Sequence, residues 1–433
     1  MKKNKIVYTA LVGDNFNAGH RKVINKAFKY GKVIIGLMLD RACIEYTSLP
    51  HFDYQTRKNN LLKIYPRVYK VIPQKSLDYT ENLKMLKPNF VVHGDDWRSG
   101  IQKKIRLNVI KTLKQWNGKL IEIPYTRNIP LSHNRKSFLQ SSTTSDIRKF
   151  KLSRLLKAKK IVKILEAHNP IGGLIIDNLK INSEKIYDEF DGVWCSSLTD
   201  SSSRGKPDNM SLDLTTRINW LSEMFEVTSK PVVYDADNGG SLEHMKFLIR
   251  RLEKVGVSAI IIEDKTGIKK NSLFKDQSKT KLDTISSFSK KIKTAAKSRV
   301  SNDFLIIARL ESLIVGNGIN DAIKRANSYS KAGADMILIH SKKNTPDEIF
   351  KFAKKFQKSK FFKPLVAVPS TYSSVKEIQL IKNGFKMVIY ANHLLRSSYL
   401  SMLETAKIIL KNKRAKESEK NMISIKKIIE LIE

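Results

Sequence analysis

From about residue 153 onward, short apolar runs recur and each stops on polar or ionisable residues: KILEAHN, DGVWCSS, PVVYDAD, AIIIEDK, FLIIARLES, MILIHS, LVAVPS and MVIYANH. Runs without internal alternation mark strands buried on both faces, as a parallel sheet requires. Between most of them lie segments with helical spacing of apolar positions, such as HMKFLIRRLEKVG and INDAIKRANSYSKAG. These close on Gly256 and Gly333, where a helix C-terminus favours glycine. Eight strand-helix units predict an α/β fold of the TIM-type (β/α)8 barrel class. At its start, GGLIID at 172–177 is as strand-like as KILEAHN; KILEAHN is preferred because it ends in polar groups as the other runs do. The tail from about 398, ending in NMISIKKIIELIE, has helical periodicity suited to packing on a neighbouring subunit.

Residues 1–138 form a separate α/β unit. KIVYTALVGD, KVIIGLMLD, NFVVHGDDW and KLIEIPY are strand-like, and HRKVINKAFKYG is an amphipathic helix closed by Gly31. The polar stretch 139–152, with QSSTTSDIRKF, is expected to link this unit to the barrel at 153–433. A chain of 433 residues accommodates both cores.

Composition narrows the class. No apolar N-terminal signal region and no uninterrupted apolar run of roughly 18 residues is present, so a cytoplasmic protein without a membrane span is expected. Two cysteines, Cys43 and Cys195, give neither a disulfide framework nor metal-ligand spacing. The net charge of +39 suits nucleic acid at first sight. The lysines, however, are spread along the whole chain with no arginine-rich tail, so compositional bias is preferred and no nucleic-acid partner is expected. Small anionic substrates suit either origin of the charge.

Side chains at the C-terminal ends of barrel strands are those that do chemistry. Here they are Ser196 and Ser197, Asp235 and Asp237, Glu263, Arg309 and Glu311, His340, then Asn392 and His393, with Asp208 from the loop after the second strand. Asp235, Asp237 and Glu263 make an all-oxygen site of the kind Mg²⁺ takes. Opposite them, Arg309 and His340 are suited to a phosphoryl or carboxylate group. Singly, each has a plainer role: a helix cap for either aspartate, a buried ion pair for Arg309 with Glu311, a satisfied core histidine for His340. Their convergence on one rim favours a functional site.

The segments EAHN, DGVWCSSLTDSSSRGKPD, YDADNGG, IIEDKTGIKKNSLF, ARLESLIVGNG, IHSKK and IYANHLLR resemble, in order and spacing, the phosphoenolpyruvate mutases of the isocitrate lyase/phosphoenolpyruvate mutase superfamily. The resemblance implies a Mg²⁺ site, a C-terminal helix exchanged within a homodimer or homotetramer, and interconversion of phosphoenolpyruvate with phosphonopyruvate. It matches Asp208 to an essential aspartate beside the phosphoryl group, Asp235 to the direct metal ligand, and Asp237 and Glu263 to carboxylates that hold the metal's waters. Arg309 and His340 match phosphoryl-binding positions, and Trp194, Ser196, Ser197 and Leu198 the pyruvate pocket. Lys269 and Asn271 match a gating loop. Lyases of the superfamily place a catalytic cysteine where this chain has KKNS; phosphonopyruvate hydrolase differs mainly in the lid and stays as the alternative.

Residues 1–138 resemble the cytidylyltransferase-like nucleotidyltransferases, which implies a Rossmann-like domain and CTP as a candidate substrate. GDNFNAGH at 13–20, Arg57 and VVHGDDW at 91–97 carry the likeness, with Asn17, Gly19, His20 and Asp95 as nucleotide-binding candidates. Asn17 stands where the family has a histidine, and 126–138 departs from the usual Ser/Thr-rich phosphate loop. Asparagine can donate a hydrogen bond but cannot be a cation. Active nucleotidyl transfer to a phosphonate and a degenerate module therefore both stay open.

Overall fold

The computed structural model describes residues 5–14, 16–124, 143–183, 186–267, 269–274, 276–277 and 280–432. The divergent loop at 126–138 and the first part of the 139–152 linker lie outside the described residues. The N-terminal domain is a parallel five-stranded sheet with strands β1 (Ile6–Leu11), β2 (Lys32–Met38), β3 (Lys70–Gln74), β4 (Phe90–Gly94) and β5 (Lys119–Ile123). Their order, β3-β2-β1-β4-β5, reverses direction at β1, the doubly wound arrangement of a Rossmann-like domain. Gly31 does not end the helix, which spans Ala18–Phe28. It leads into β2, where a Cβ would stand 2.1 Å from the Lys5 carbonyl oxygen, so only glycine admits the approach.

In the C-terminal domain β6 (Val162–Glu166) is followed by a small hairpin, β7 (Lys180–Asn182) and β8 (Tyr187–Glu189), then β9 (Gly192–Cys195), β10 (Val232–Asp235) and β11 (Ala259–Glu263). A second hairpin, β12 (Lys265–Thr266) and β13 (Lys281–Leu282), precedes β14 (Leu305–Leu310), β15 (Met336–Ile339), β16 (Leu365–Ala367) and β17 (Phe385–Tyr390). Strands β6, β9, β10, β11, β14, β15, β16 and β17 pair in parallel and close into a barrel. The eight apolar runs are these eight strands. KILEAHN supplies the first, while GGLIID lies in the helix Pro170–Asn178, entered through the Asn169 cap and Pro170.

The segment expected to link the domains is helical from Ser145 to Ala158. Leu152 and Leu155 of this helix, together with Leu49 from the N-terminal domain, pack against the inward-facing barrel residues Val162, Ile164, Met387 and Ile389. Among the described residues no helix is long and apolar enough to cross a membrane.

Candidate active site

Asp235 ends β10, and Asp237, two residues on, holds a left-handed backbone with φ 53°. The run DADNGG supplies the residue types that accept such turns. The turn brings the backbone N–H of Asp237 to Asp235 Oδ1 at 3.1 Å, while Ser197 Oγ donates to Asp235 Oδ2 at 2.9 Å. Burial pushes the Asp235 carboxyl up, but Lys269, Arg309 and Arg217 outweigh it and hold it down at about 2. Glu263 ends β11 fully buried, and neither carboxylate oxygen has a hydrogen-bond partner. Burial therefore dominates and pushes its carboxyl up to about 7, although Arg309 Nη2 stands 3.4 Å away.

After Gly267 the chain folds back over this rim. Lys269 is buried, with Nζ 2.9 Å from Asp208 Oδ1 and in contact with Asp237 and Ser197. Burial disfavours its charge, yet Asp237, Asp235 and Asp208 overcome that and raise its pKa. Asn271 Nδ2 donates to Asp208 Oδ2 at 2.8 Å, so both oxygens of Asp208 are held by this segment. Arg217 pairs with Asp200 at 3.1 Å and Asp237 at 3.3 Å. It lies in the short helix Leu214–Asn219, and no sequence signal singled it out.

On β14, beside Glu263, Arg309 Nε donates to Glu311 Oε1 at 2.6 Å, and Arg309 Nη2 lies 3.0 Å from His340 Nδ1. Trp194 lines the barrel interior with its indole Nε1 buried and without a partner. Ser196 caps the helix Ser197–Ser203, which carries Leu198 half-buried. His393 does not join the group: it opens the helix His393–Asn412 and lines a separate cavity with Leu165, Phe190 and Tyr390.

Among the described residues no three His, Cys, Asp or Glu side chains form a ready-made metal cage. Mg²⁺ does not need one, because it keeps several waters and binds through one or two carboxylates. The orphaned oxygens of Glu263 beside Asp235 and Asp237 give a hard, oxygen-only donor set that fits such an ion.

In the N-terminal domain a cavity of about 210 Å³ is lined by Asn17, Gly19, His20, His93 and Asp96 among others. Asn17 caps the first helix, its Oδ1 accepting from the His20 backbone at 2.9 Å. Asp95 is not among the lining residues; its neighbour Asp96 is. Arg57 is also elsewhere, fully buried, with Nη1 donating to the Met38 carbonyl at 2.8 Å.

Residues 152–410 match the family described as phosphoenolpyruvate phosphomutase, and residues 14–150 the cytidylyltransferase-like family. A phosphoenolpyruvate phosphomutase of Tetrahymena pyriformis is 32% identical over 302 residues, 70% of this chain and 95% of that protein. A phosphonopyruvate hydrolase of Variovorax sp. (strain Pal2) is 33% identical over 282 residues, 65% of this chain and 93% of that protein. A crystal structure of phosphonopyruvate hydrolase in complex with oxalate and Mg²⁺ superposes with a TM-score of 0.58 at 32% identity, covering 66% of this chain and 94% of that one.

Proposed function

The chain belongs to the phosphoenolpyruvate phosphomutase family, and from that membership we propose that its barrel is a Mg²⁺-dependent phosphoenolpyruvate mutase. It interconverts phosphoenolpyruvate and phosphonopyruvate, an intramolecular phosphoryl transfer that makes the C–P bond at the entry to phosphonate biosynthesis. The observation that carries this reading is the docking of Lys269 and Asn271 on Asp208, a cover suited to keeping water from a reacting phosphoryl group.

Asp235, Asp237 and Glu263 would hold the Mg²⁺, which when bound would supply Lewis-acid stabilisation of the pyruvate enolate charge. Trp194, Ser196, Ser197 and Leu198 bind the pyruvate portion. Arg309, His340 and Asn271 hold the phosphoryl group by directed hydrogen bonds. Asp208 accepts the phosphoryl group as its bond to the enol oxygen breaks and releases it to C3 as the C–P bond forms. Lys269 balances the carboxylate charge and, with the segment after Gly267, keeps water from the phosphorus.

The lyase activities of the superfamily fit less well. Asn271 and Ser272 stand where those enzymes place cysteine, and Cys195 is buried in β9 with its thiol raised by burial. Running the reaction in ¹⁸O-labelled water tests the proposal. The non-bridging oxygens on phosphorus in the phosphoenolpyruvate formed from phosphonopyruvate should carry no solvent label, whereas labelled inorganic phosphate as the product would assign the barrel to the hydrolases.

For the N-terminal domain the cavity lined by Asn17, His20 and His93 favours a second activity, CTP-dependent nucleotidyl transfer to a phosphonate. Pyrophosphate release from CTP with a phosphonate acceptor is its test, and no release would leave a degenerate module. The protein is proposed to be a cytoplasmic homodimer or homotetramer.

A further inference from the structure

Glu311 takes no part in the proposed chemistry, yet its carboxylate meets Arg309, His340, Ser272 and Lys265 at the rim. It is fully buried one residue beyond β14. Oε1 accepts from Arg309 Nε at 2.6 Å and lies 3.0 Å from His340 Nδ1. Oε2 accepts from Ser272 Oγ at 2.6 Å and lies 3.2 Å from Lys265 Nζ. Ser272 Oγ in turn is 3.0 Å from Arg309 Nη2. One carboxylate thus gathers the two phosphoryl-side residues on one oxygen and the covering segment on the other.

Glu311 is itself fixed from behind. Its backbone N–H donates to Asp264 Oδ1 at 2.9 Å, and Asp264 Oδ2 is held by Arg325 at 3.1 Å and by the Tyr329 hydroxyl at 3.0 Å. Burial works against the Glu311 charge, but Arg309 and His340 hold its carboxyl well below the usual range. An anion enclosed by two cations and an imidazole is a fixed electrostatic element, because removing it would leave buried Arg309 and Lys265 to share the more distant Glu263 carboxylate, at 3.4 and 3.9 Å.

We infer that Glu311 is the positioning residue of the phosphoryl pocket: it aims Arg309 and His340 at the phosphoryl group and ties that pocket to the closed lid through Ser272. Phosphoryl binding and lid closure are then one event, since the carboxylate that orients the anion-binding side chains also receives the lid. This rests on the mutase reading of the site and adds to it a means by which the lid closes only over a correctly formed pocket.

The test compares two ligands in the full-length protein with Mg²⁺: phosphonopyruvate, which fills both halves of the site, and oxalate, which lacks the phosphoryl group. Glu311→Gln should bind oxalate within about threefold of wild type while KM for phosphonopyruvate rises at least tenfold and kcat falls on the order of 100-fold. Glu311→Asp, which keeps the charge, should recover part of the loss. Equal weakening of both ligands would mean a merely structural role and overturn the inference, as would kcat/KM within threefold of wild type. Should Glu311→Gln fail to fold, Ser272→Ala decides: it should lower kcat about tenfold and speed proteolytic cleavage within 269–274 in the presence of phosphonopyruvate. Unchanged kcat and cleavage in Ser272→Ala would overturn the coupling. Absence of turnover by the wild-type protein would count against the mutase reading alone, and calorimetric binding of the two ligands to Glu311→Gln would still decide the role of Glu311.

Discussion

Asp208 is anchored by the lid, not by its own loop: the Lys269 ammonium and the Asn271 amide each take one of its oxygens. Under the proposed function, an open lid would leave that carboxylate unguided and its reactivity would depend on closure. If it is the nucleophile proposed above, replacing it by alanine should lower turnover at least about 1000-fold while circular dichroism and urea unfolding stay near wild type. Near-normal turnover by Asp208→Ala would remove it from the chemistry. The sequence exposed most of the residues that the structure brings together at this rim, because strand ends in a barrel announce themselves as apolar runs halting on charge. It did not expose Arg217, whose partners Asp200 and Asp237 are distant along the chain and meet it only once α/β packing has formed. It also placed His393 with the group, since a residue just past a strand end can equally begin the next helix on the outer surface, as His393 does. In the N-terminal domain Asp95 and Asp96 cannot be told apart by pattern, and the short helical turn Asp95–Arg98 decides which lines the cavity.

At the scale of elements, the competition between KILEAHN and GGLIID is settled by close packing that composition does not reveal. A Cβ on Gly173 would stand 2.5 Å from Met224 Sδ and one on Gly172 would stand 3.0 Å from the Ala167 Cβ, so the two glycines let the helix Pro170–Asn178 lie against its neighbours. Strand β3 went unread for a different reason: KVIPQ contains proline and forms an edge of its sheet, where proline is tolerated. Within the barrel, Gly192 of β9 faces a backbone constraint, because a Cβ there would meet the Pro231 carbonyl oxygen at 2.7 Å and Ile164 Cδ1 at 2.8 Å. Gly192→Ala should therefore destabilise the barrel by about 2 kcal/mol in urea unfolding, the cost of overpacking a rigid interior. An unchanged midpoint would mean that β9 can shift.

For the molecule as a whole, the domains are joined by buried polar bonds as well as by chain. Arg154, in the helix Ser145–Ala158, pairs with Asp40 at 2.7 Å and donates to the His51 and Phe52 carbonyls at 3.0 Å each. Arg154→Ala should leave Asp40 and those carbonyls short of a partner, costing about 3 kcal/mol and separating the unfolding of the two domains in calorimetry. A single unshifted transition would contradict that. The far end of the chain has the opposite character: the helix His393–Asn412 has no buried residue and exposes Tyr399, Leu400, Met402 and Leu410. Under the proposed oligomeric state this face meets another subunit, so Leu400→Glu with Leu410→Glu should shift the protein toward monomer in light scattering, and an unchanged mass would argue against it. One measurement bears most directly on the barrel being the enzyme proposed for it. Phosphorus NMR of the purified protein with Mg²⁺ and phosphonopyruvate should show the phosphonate resonance giving way to that of phosphoenolpyruvate, with the change stopped by chelation of the metal. Inorganic phosphate appearing without phosphoenolpyruvate, or no change in the spectrum, would contradict it.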